Sequence, residues 1–163
     1  MTINDIITEL LNREGGSKVT SDPHDKGGRT QYGISEKYHP DAWKDGHVTE
    51  AEARSIYFNK YVKGPGYDKI PASHTAVLEQ LVDFGVNSGP AIATAKLQGL
   101  LGVATDGVFG PRTLKALLAT DARLINNALV RARIGMICSI VQDHPAQLRF
   151  LEGWVKRALE FIK

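Results

Sequence analysis

Two consecutive glycines stop the first helical pattern of this chain within fifteen residues. Ile3, Ile6, Ile7, Leu10 and Leu11 recur at the spacing of one helix face, and Glu14 falls on the same stripe, four residues after Leu10. Gly15 suits the left-handed backbone just past a helix end, which places that end at Arg13 or Glu14. A carboxylate therefore closes an apolar face. Partial burial and the negative end of the helix dipole both favour its neutral form, as a general acid requires. The alternative is a solvated residue on a frayed last turn.

From Gly15 to Ile34 the composition turns to Gly, Pro, Asp and Ser, with short extended pieces such as Lys18-Val19-Thr20. This reads as loops with a small hairpin. Asp22 and Asp25 follow Glu14 closely enough to lie across a cleft from it, although Asp also favours turns by bonding to its own backbone. Thr30 can hydrogen-bond a water, Tyr32 can stack on a pyranose ring or simply pack, and Gly33 permits a turn or a close approach. His24 has no second His at ligand spacing and no His-Glu-x-x-His motif occurs, so no metal site is expected.

The rest of the chain is helical in pattern. Ser35 starts a short helix through Tyr38, ending before Pro40, and Thr49-Glu50-Ala51-Glu52 is a capping box opening a helix with Ala53, Ile56, Tyr57 and Tyr61 inward. Ser73 starts the next helix, which breaks at Asn87-Ser88-Gly89-Pro90, and residues 91–101 form another. Asp83 within this stretch is a third candidate carboxylate, or a structural one. Thr120 caps a long helix expected to be buried on much of its circumference, with Cys138 as a core thiol. Pro145 starts the last helix, with Phe150, Leu151, Trp154, Val155, Leu159 and Ile162 inward.

A chain of 163 residues suits one compact domain or one with a small appendage. At this size it can bury roughly 70% of its unfolded surface, a sufficient core without staples. The formal charge of +2 tolerates anionic cell envelopes and is too weak to argue for nucleic acid. The start of the chain lacks the basic and apolar regions of a secretory signal, and no membrane span is expected.

The run Glu14-Gly15-Gly16, then Ser21-Asp22-Pro23-x-Asp25-x-Gly27-Gly28-x-Thr30-x-x-Gly33-Ile34, resembles the signature of glycoside hydrolase family 108, phage endolysins and related bacterial proteins that cleave peptidoglycan. The family often carries an aromatic where this chain has Ser17 and an Asn where it has Ser21. Asp83-Phe84-x-x-Asn87-x-Gly89 and Gly153-Trp154 resemble later family patterns, and the stretch from Leu101 through Asp106-Gly107-Val108-Phe109-Gly110-Pro111 to Thr113 resembles a loop of peptidoglycan-binding domains. In that loop Asp106 either contacts glycan or merely helps join two helices, and Asn87 is a candidate substrate contact.

The resemblance implies a mainly α, lysozyme-like helical bundle with a small β-hairpin wing. It implies a catalytic region over residues 1–90 and a helical peptidoglycan-binding-like region over 91–163, packed into one globular unit. By analogy with phage muramidases, Glu14 is the acid, Asp22 or Asp25 the second carboxylate and Thr30 the water positioner. The expected reaction is hydrolysis of the β-1,4 bond between N-acetylmuramic acid and N-acetylglucosamine, with no cofactor, by a monomer. A phage enzyme without a signal would wait in the host cytoplasm for a holin. A lytic transglycosylase using the same Glu14, a chitinase-like hydrolase and a non-catalytic peptidoglycan-binding protein are the rival readings.

Overall fold

The computed structural model describes residues 1–21 and 28–163, which form two compact units, Met1–Lys63 and Gly64–Lys163. Asp22 and Asp25, the two candidates for the second carboxylate, lie outside the described residues.

In the first unit, α1 spans Ile3–Arg13. Thr2 and Asp5 close a capping box at its start, and Ile6, Ile7, Leu10 and Leu11 are buried along one face. The chain then forms a three-stranded antiparallel sheet in the order β1 (Thr20–Ser21), β2 (Arg29–Gln31) and β3 (Ile34–Ser35). The wing is thus a meander, one strand more than the expected hairpin. Thr30 pairs with Thr20 on one side and Ser35 on the other, and Gln31 pairs with Ile34. Tyr32 and Gly33 connect β2 to β3 with φ of 53° and 72°. Two positive values mark the primed type of two-residue turn, whose twist matches the strands it joins.

The helix expected from Ser35 to Tyr38 is absent. Ser35 ends β3, a single hydrogen-bonded turn closed by His39 N on Ser35 O follows, and the next helical stretch is 3-10, Pro40–Trp43. Proline at the start of that turn cannot donate to a preceding helix, and pairing with β2 captures Ser35 first. The second helix, α2, covers Glu50–Tyr57, and its capping box matches the expected Thr49 and Glu52. Ala53 and Tyr57 are its buried residues. A π-helical turn, Phe58–Lys63, continues it.

The second unit contains α3 (Thr75–Ser88), α4 (Pro90–Leu101), α5 (Pro111–Leu118), α6 (Ala122–Asp143) and α7 (Leu151–Leu159). Of these, α3 packs against α4 and α6, and α5 against α4 and α6, around Leu81, Phe84, Leu97, Leu117 and Leu129, all fully buried. Tyr67 is buried too. Its hydroxyl reaches Pro90 O at 3.0 Å and Thr94 Oγ1 at 2.7 Å. Burial pushes its phenol up to about 12 from an ordinary 10.0. The group is neutral below that value and its folded pKa is raised. Its contribution to stability is therefore complete below pH 10.0 and is lost as pH rises through about 12. An ultraviolet titration should show one late-ionising phenol that Tyr67→Phe removes; an unchanged curve in the variant would contradict this placement.

Three expectations for this unit change. Asp121, not Thr120, caps α6, because the Asp121 carboxylate accepts from Leu124 N while Thr120 Oγ1 turns back to Leu117 O. α6 buries one seam, Ile125, Asn126, Leu129, Val130, Arg133 and Ile137, while Leu124 and Cys138 face solvent, so Cys138 is not a core thiol. The last α-helix begins at Leu151 after a 3-10 stretch from Pro145, and Ala158 and Phe161, rather than Leu159 and Ile162, point inward. By length and composition α6 could cross a bilayer. Here it packs on α3, α4 and α7 and carries Arg133 in an ion pair.

Candidate active site

Glu14 is the residue that terminates α1. It stands at the C-cap with its N–H bonded to Leu10 O at 3.0 Å, and it is half-buried. The chain then turns through Gly15 and Gly16, whose φ values of 96° and 58° glycine adopts readily. Gly16 N donates to Leu11 O, closing the helix end. Gly16 O in turn accepts from Tyr32 N at 2.9 Å. One hydrogen bond thus joins the turn after the acid to the tip of the wing.

That tip is built for close approach. A Cβ added to Gly33 would lie 2.6 Å from Tyr57 Oη, 2.9 Å from Glu14 Cβ and 3.2 Å from Glu14 Oε2. The Glu14 side chain therefore covers the α-carbon of Gly33, with the Tyr57 hydroxyl beside it. Tyr57 Oη donates to Tyr32 O at 2.8 Å and fixes the turn from the other side. Three separate segments, the end of α1, the β2–β3 turn and the end of α2, meet at one carboxylate.

Gln31 holds the wing at its base. Its Nε2 donates to Ser17 O and its Oε1 accepts from Val48 N, both at 2.8 Å, so the buried amide is satisfied at both ends. Trp43 Nε1 donates to Ile34 O, and the Arg29 guanidinium, paired with Glu36, sits 4.8 Å over the Trp43 ring. The Arg29 partner holds the Glu36 carboxyl below its ordinary value. Four further described acids of this unit also have structural employment. Asp5 and Glu52 cap helices, Asp41 pairs with Lys44, and Glu50 pairs with Arg54.

Thr30 sits in the middle of β2, half-buried, two residues before Tyr32 and about 7 Å from it along an extended strand. Tyr32 is half-buried and borders a small polar groove shared with Asn12, Ser17 and Arg54. Glu14, Thr30 and Tyr32 thus belong to one neighbourhood. Asn87 and Asp106 belong to the second unit. Asn87 Nδ2 bonds back to Asp83 O at 2.7 Å near the end of α3. Asp106 Oδ1 accepts from Gln98 Nε2 at 2.8 Å and from Val108 N at 2.9 Å, and these bonds hold its carboxyl below the ordinary value. Gln98, fully buried, also bonds Val108 O, Thr113 Oγ1 and Gly107 N. The loop from Leu101 to Thr113 is wound around that one amide.

Asp83 is bound on both carboxylate oxygens. Arg133 Nη2 meets Oδ2 at 2.7 Å and Arg157 Nη2 meets Oδ1 at 2.7 Å, with Asp83 and Arg133 almost wholly buried. It is a structural anion between two cations.

Tyr57 and Gln31 are the residues around Glu14 and the wing that the sequence pattern passed over. Tyr57 reads as one more apolar position of a helix stripe. The available signal was its hydroxyl, which a buried tyrosine must hand to a partner.

A half-buried glutamate at a helix end stands beside a small antiparallel wing in a mainly helical, lysozyme-like fold. Residues 7–89 match the family described as Glycosyl hydrolase 108, and residues 92–159 match a Predicted Peptidoglycan domain. The chain belongs to glycosyl hydrolase family 108, and such a hydrolase acts on peptidoglycan. The structure of Brucella abortus SagA is similar over 97% of this chain and 90% of that one, at 31% sequence identity and a TM-score of 0.73. No curated protein matches the sequence.

Proposed function

We propose that the chain is an N-acetylmuramidase that hydrolyses the β-1,4 bond between N-acetylmuramic acid and N-acetylglucosamine, with Glu14 as general acid. The observation that carries this reading is the seat of Glu14, over Gly33 and beside Tyr57 at the edge of the wing. A carboxyl held there can hand a proton to the departing sugar oxygen. Asp22 or Asp25 supplies the second carboxylate, and Thr30, on the strand that leads to the Tyr32-Gly33 turn, orients the water. The reaction needs no cofactor, because proton donation and a positioned water or carboxylate account for both halves of the bond cleavage. Asn87, Tyr32 and Asp106 are the proposed sugar contacts, and a phage endolysin is the setting that suits such an activity.

The test is digestion of purified peptidoglycan by wild type and by Glu14→Gln, with mass spectrometry of borohydride-reduced products. Wild type should give reducible N-acetylmuramic acid ends, and the variant should be slower by about 10²–10⁴-fold, the usual contribution of a positioned acid. Anhydro ends would reassign the chain as a lytic transglycosylase using the same Glu14. Equal turnover by the variant would remove Glu14 from the mechanism.

A further inference from the structure

The polar groove beside the wing, about 160 Å³ in volume, lies wholly within the first unit. Thr8, Leu11 and Asn12 of α1 form one side, Glu50 and Arg54 at the start of α2 another, and Gly16, Ser17 and Tyr32 close it. Gly16 stands two residues after Glu14, so the groove is reached within at most about 7 Å of backbone from the acid. Its charges are occupied with each other. Arg54 Nε donates to Glu50 Oε1 at 2.8 Å and Arg54 Nη2 to Thr8 Oγ1 at 2.9 Å. A groove whose charges already cancel suits a neutral, polar ligand.

Asn12, Ser17 and Tyr32 differ from that pair. Among the described residues their hydrogen bonds run through the backbone: Asn12 O accepts from Gly15 N, Ser17 O from Gln31 Nε2, and Tyr32 joins Gly16 O and the Tyr57 hydroxyl. An amide, a hydroxyl and a phenol are thus left for a ligand. Tyr32 also holds a φ of 53°, a left-handed value that glycine or asparagine adopts more readily in a turn of this type. A tyrosine kept in that conformation without a side-chain bond of its own marks a ring that serves something outside the chain.

Size and wall chemistry narrow the ligand. Pockets that enclose a whole drug-sized molecule run to roughly 300–1,000 Å³, so this one takes a substituent of a single sugar and not a disaccharide. The Asn12 amide can donate to a carbonyl oxygen and accept from an N–H at once, which matches another amide. Leu11 and the Tyr32 ring offer apolar sides to a methyl group. Given the proposed action on peptidoglycan, on which this inference rests, both sugars of that polymer carry a methyl-ended amide at C2. We propose that the groove binds the 2-acetamido group of a peptidoglycan sugar, so that the enzyme selects N-acetylated strands over de-N-acetylated ones beside the Glu14 turn.

The experiment is a heteronuclear NMR titration of the whole protein with the methyl β-glycosides of N-acetylglucosamine, N-acetylmuramic acid and glucose, none of which carries the disaccharide bond. The acetamido sugars should shift the Asn12 side-chain amide and Tyr32 ring signals at millimolar concentration. The glucoside, which lacks the group, should bind at least roughly tenfold more weakly through the loss of its hydrogen bonds. Asn12→Leu, close to asparagine in shape and at an exposed position, should weaken the acetamido sugars by a similar factor and leave the glucoside unchanged, a split that a merely structural loss would not produce. Ser17→Tyr, which fills the groove, should weaken the acetamido sugars too. Binding of either acetamido sugar supports the proposal, and the tighter of the two names the occupant. Equal binding of glucoside and acetamido sugars, shifts confined to residues away from the groove, no shift at all, or undiminished selectivity in Asn12→Leu would each overturn it. Binding is read without turnover, so its failure leaves the muramidase reading standing, and failure of hydrolysis leaves this selectivity to be read on its own.

Discussion

Asp83→Asn is expected to lower the unfolding free energy by about 3–5 kcal/mol, the cost of breaking a buried ion pair from one side. Arg133 is 4% exposed at its side chain and cannot move its charge into water without unpacking α6. Its guanidinium also lies 5.1 Å over Phe84 and 5.6 Å from the centre of Phe161, so its path outward is blocked by rings. Arg157, with 22% side-chain exposure, is the partner able to reach solvent, and most of the loss falls on Arg133. Urea unfolding should show a lower midpoint with an unchanged slope. A loss under about 1 kcal/mol would mean that desolvation already cancels most of what the triad contributes. The contrast is the exposed Lys156–Glu152 pair, where Lys156→Ala should move stability by at most about 1 kcal/mol.

Gly33→Ala is expected to reduce turnover by about 10²-fold while leaving a folded protein. Two effects act at this position. The left-handed φ of 72° costs an alanine roughly 1–2 kcal/mol. The added methyl would also stand 2.6 Å from Tyr57 Oη and 2.9 Å from Glu14 Cβ, inside contact distance of both. Strain alone lowers stability; displacement of the acid by an ångström lowers the rate. Gly15→Ala separates them. Its φ is 96°, but an added Cβ there has no neighbour within 4 Å, so it should lose stability and keep turnover. Peptidoglycan hydrolysis and thermal melts on both variants decide the matter. Full turnover by Gly33→Ala would show that Glu14 tolerates a different seat.

Both effects depend on long-range meetings, and this sets what could be read from the chain alone. The end of α1 at Glu14 and the Thr49–Glu52 capping box were legible because helix signals are local: a stripe, a cap and a glycine. The meander was only half legible, since β3 has two residues and its partner lies across a turn whose first position is a tyrosine at positive φ. Nothing local announces that Tyr32 adopts this conformation; hydrogen bonds from Tyr57 and to Gly16 hold it there. The buried side of α6 was misread because its seam contains Arg133 and Asn126. A pattern search counts charge and amide as solvent-facing, whereas these two are buried with Asp83 and Phe161 O as partners. Glu14 was legible as an oddity on an apolar face. Tyr57 was not, because hydroxyl and ring point to different readings and the ring fits the stripe.

The Gln31 amide makes the wing and the approach to α2 one mechanical piece. A single side chain on β2 donates to Ser17 O and accepts from Val48 N, and so clamps the segment that follows α1 to the segment that precedes α2. A side chain unable both to donate and to accept would leave one of these backbone groups without that bond, and β2 would lose its tie to one of the two segments. The seat of Glu14 over Gly33 is thus keyed to an amide that stands two residues before Gly33 in the chain.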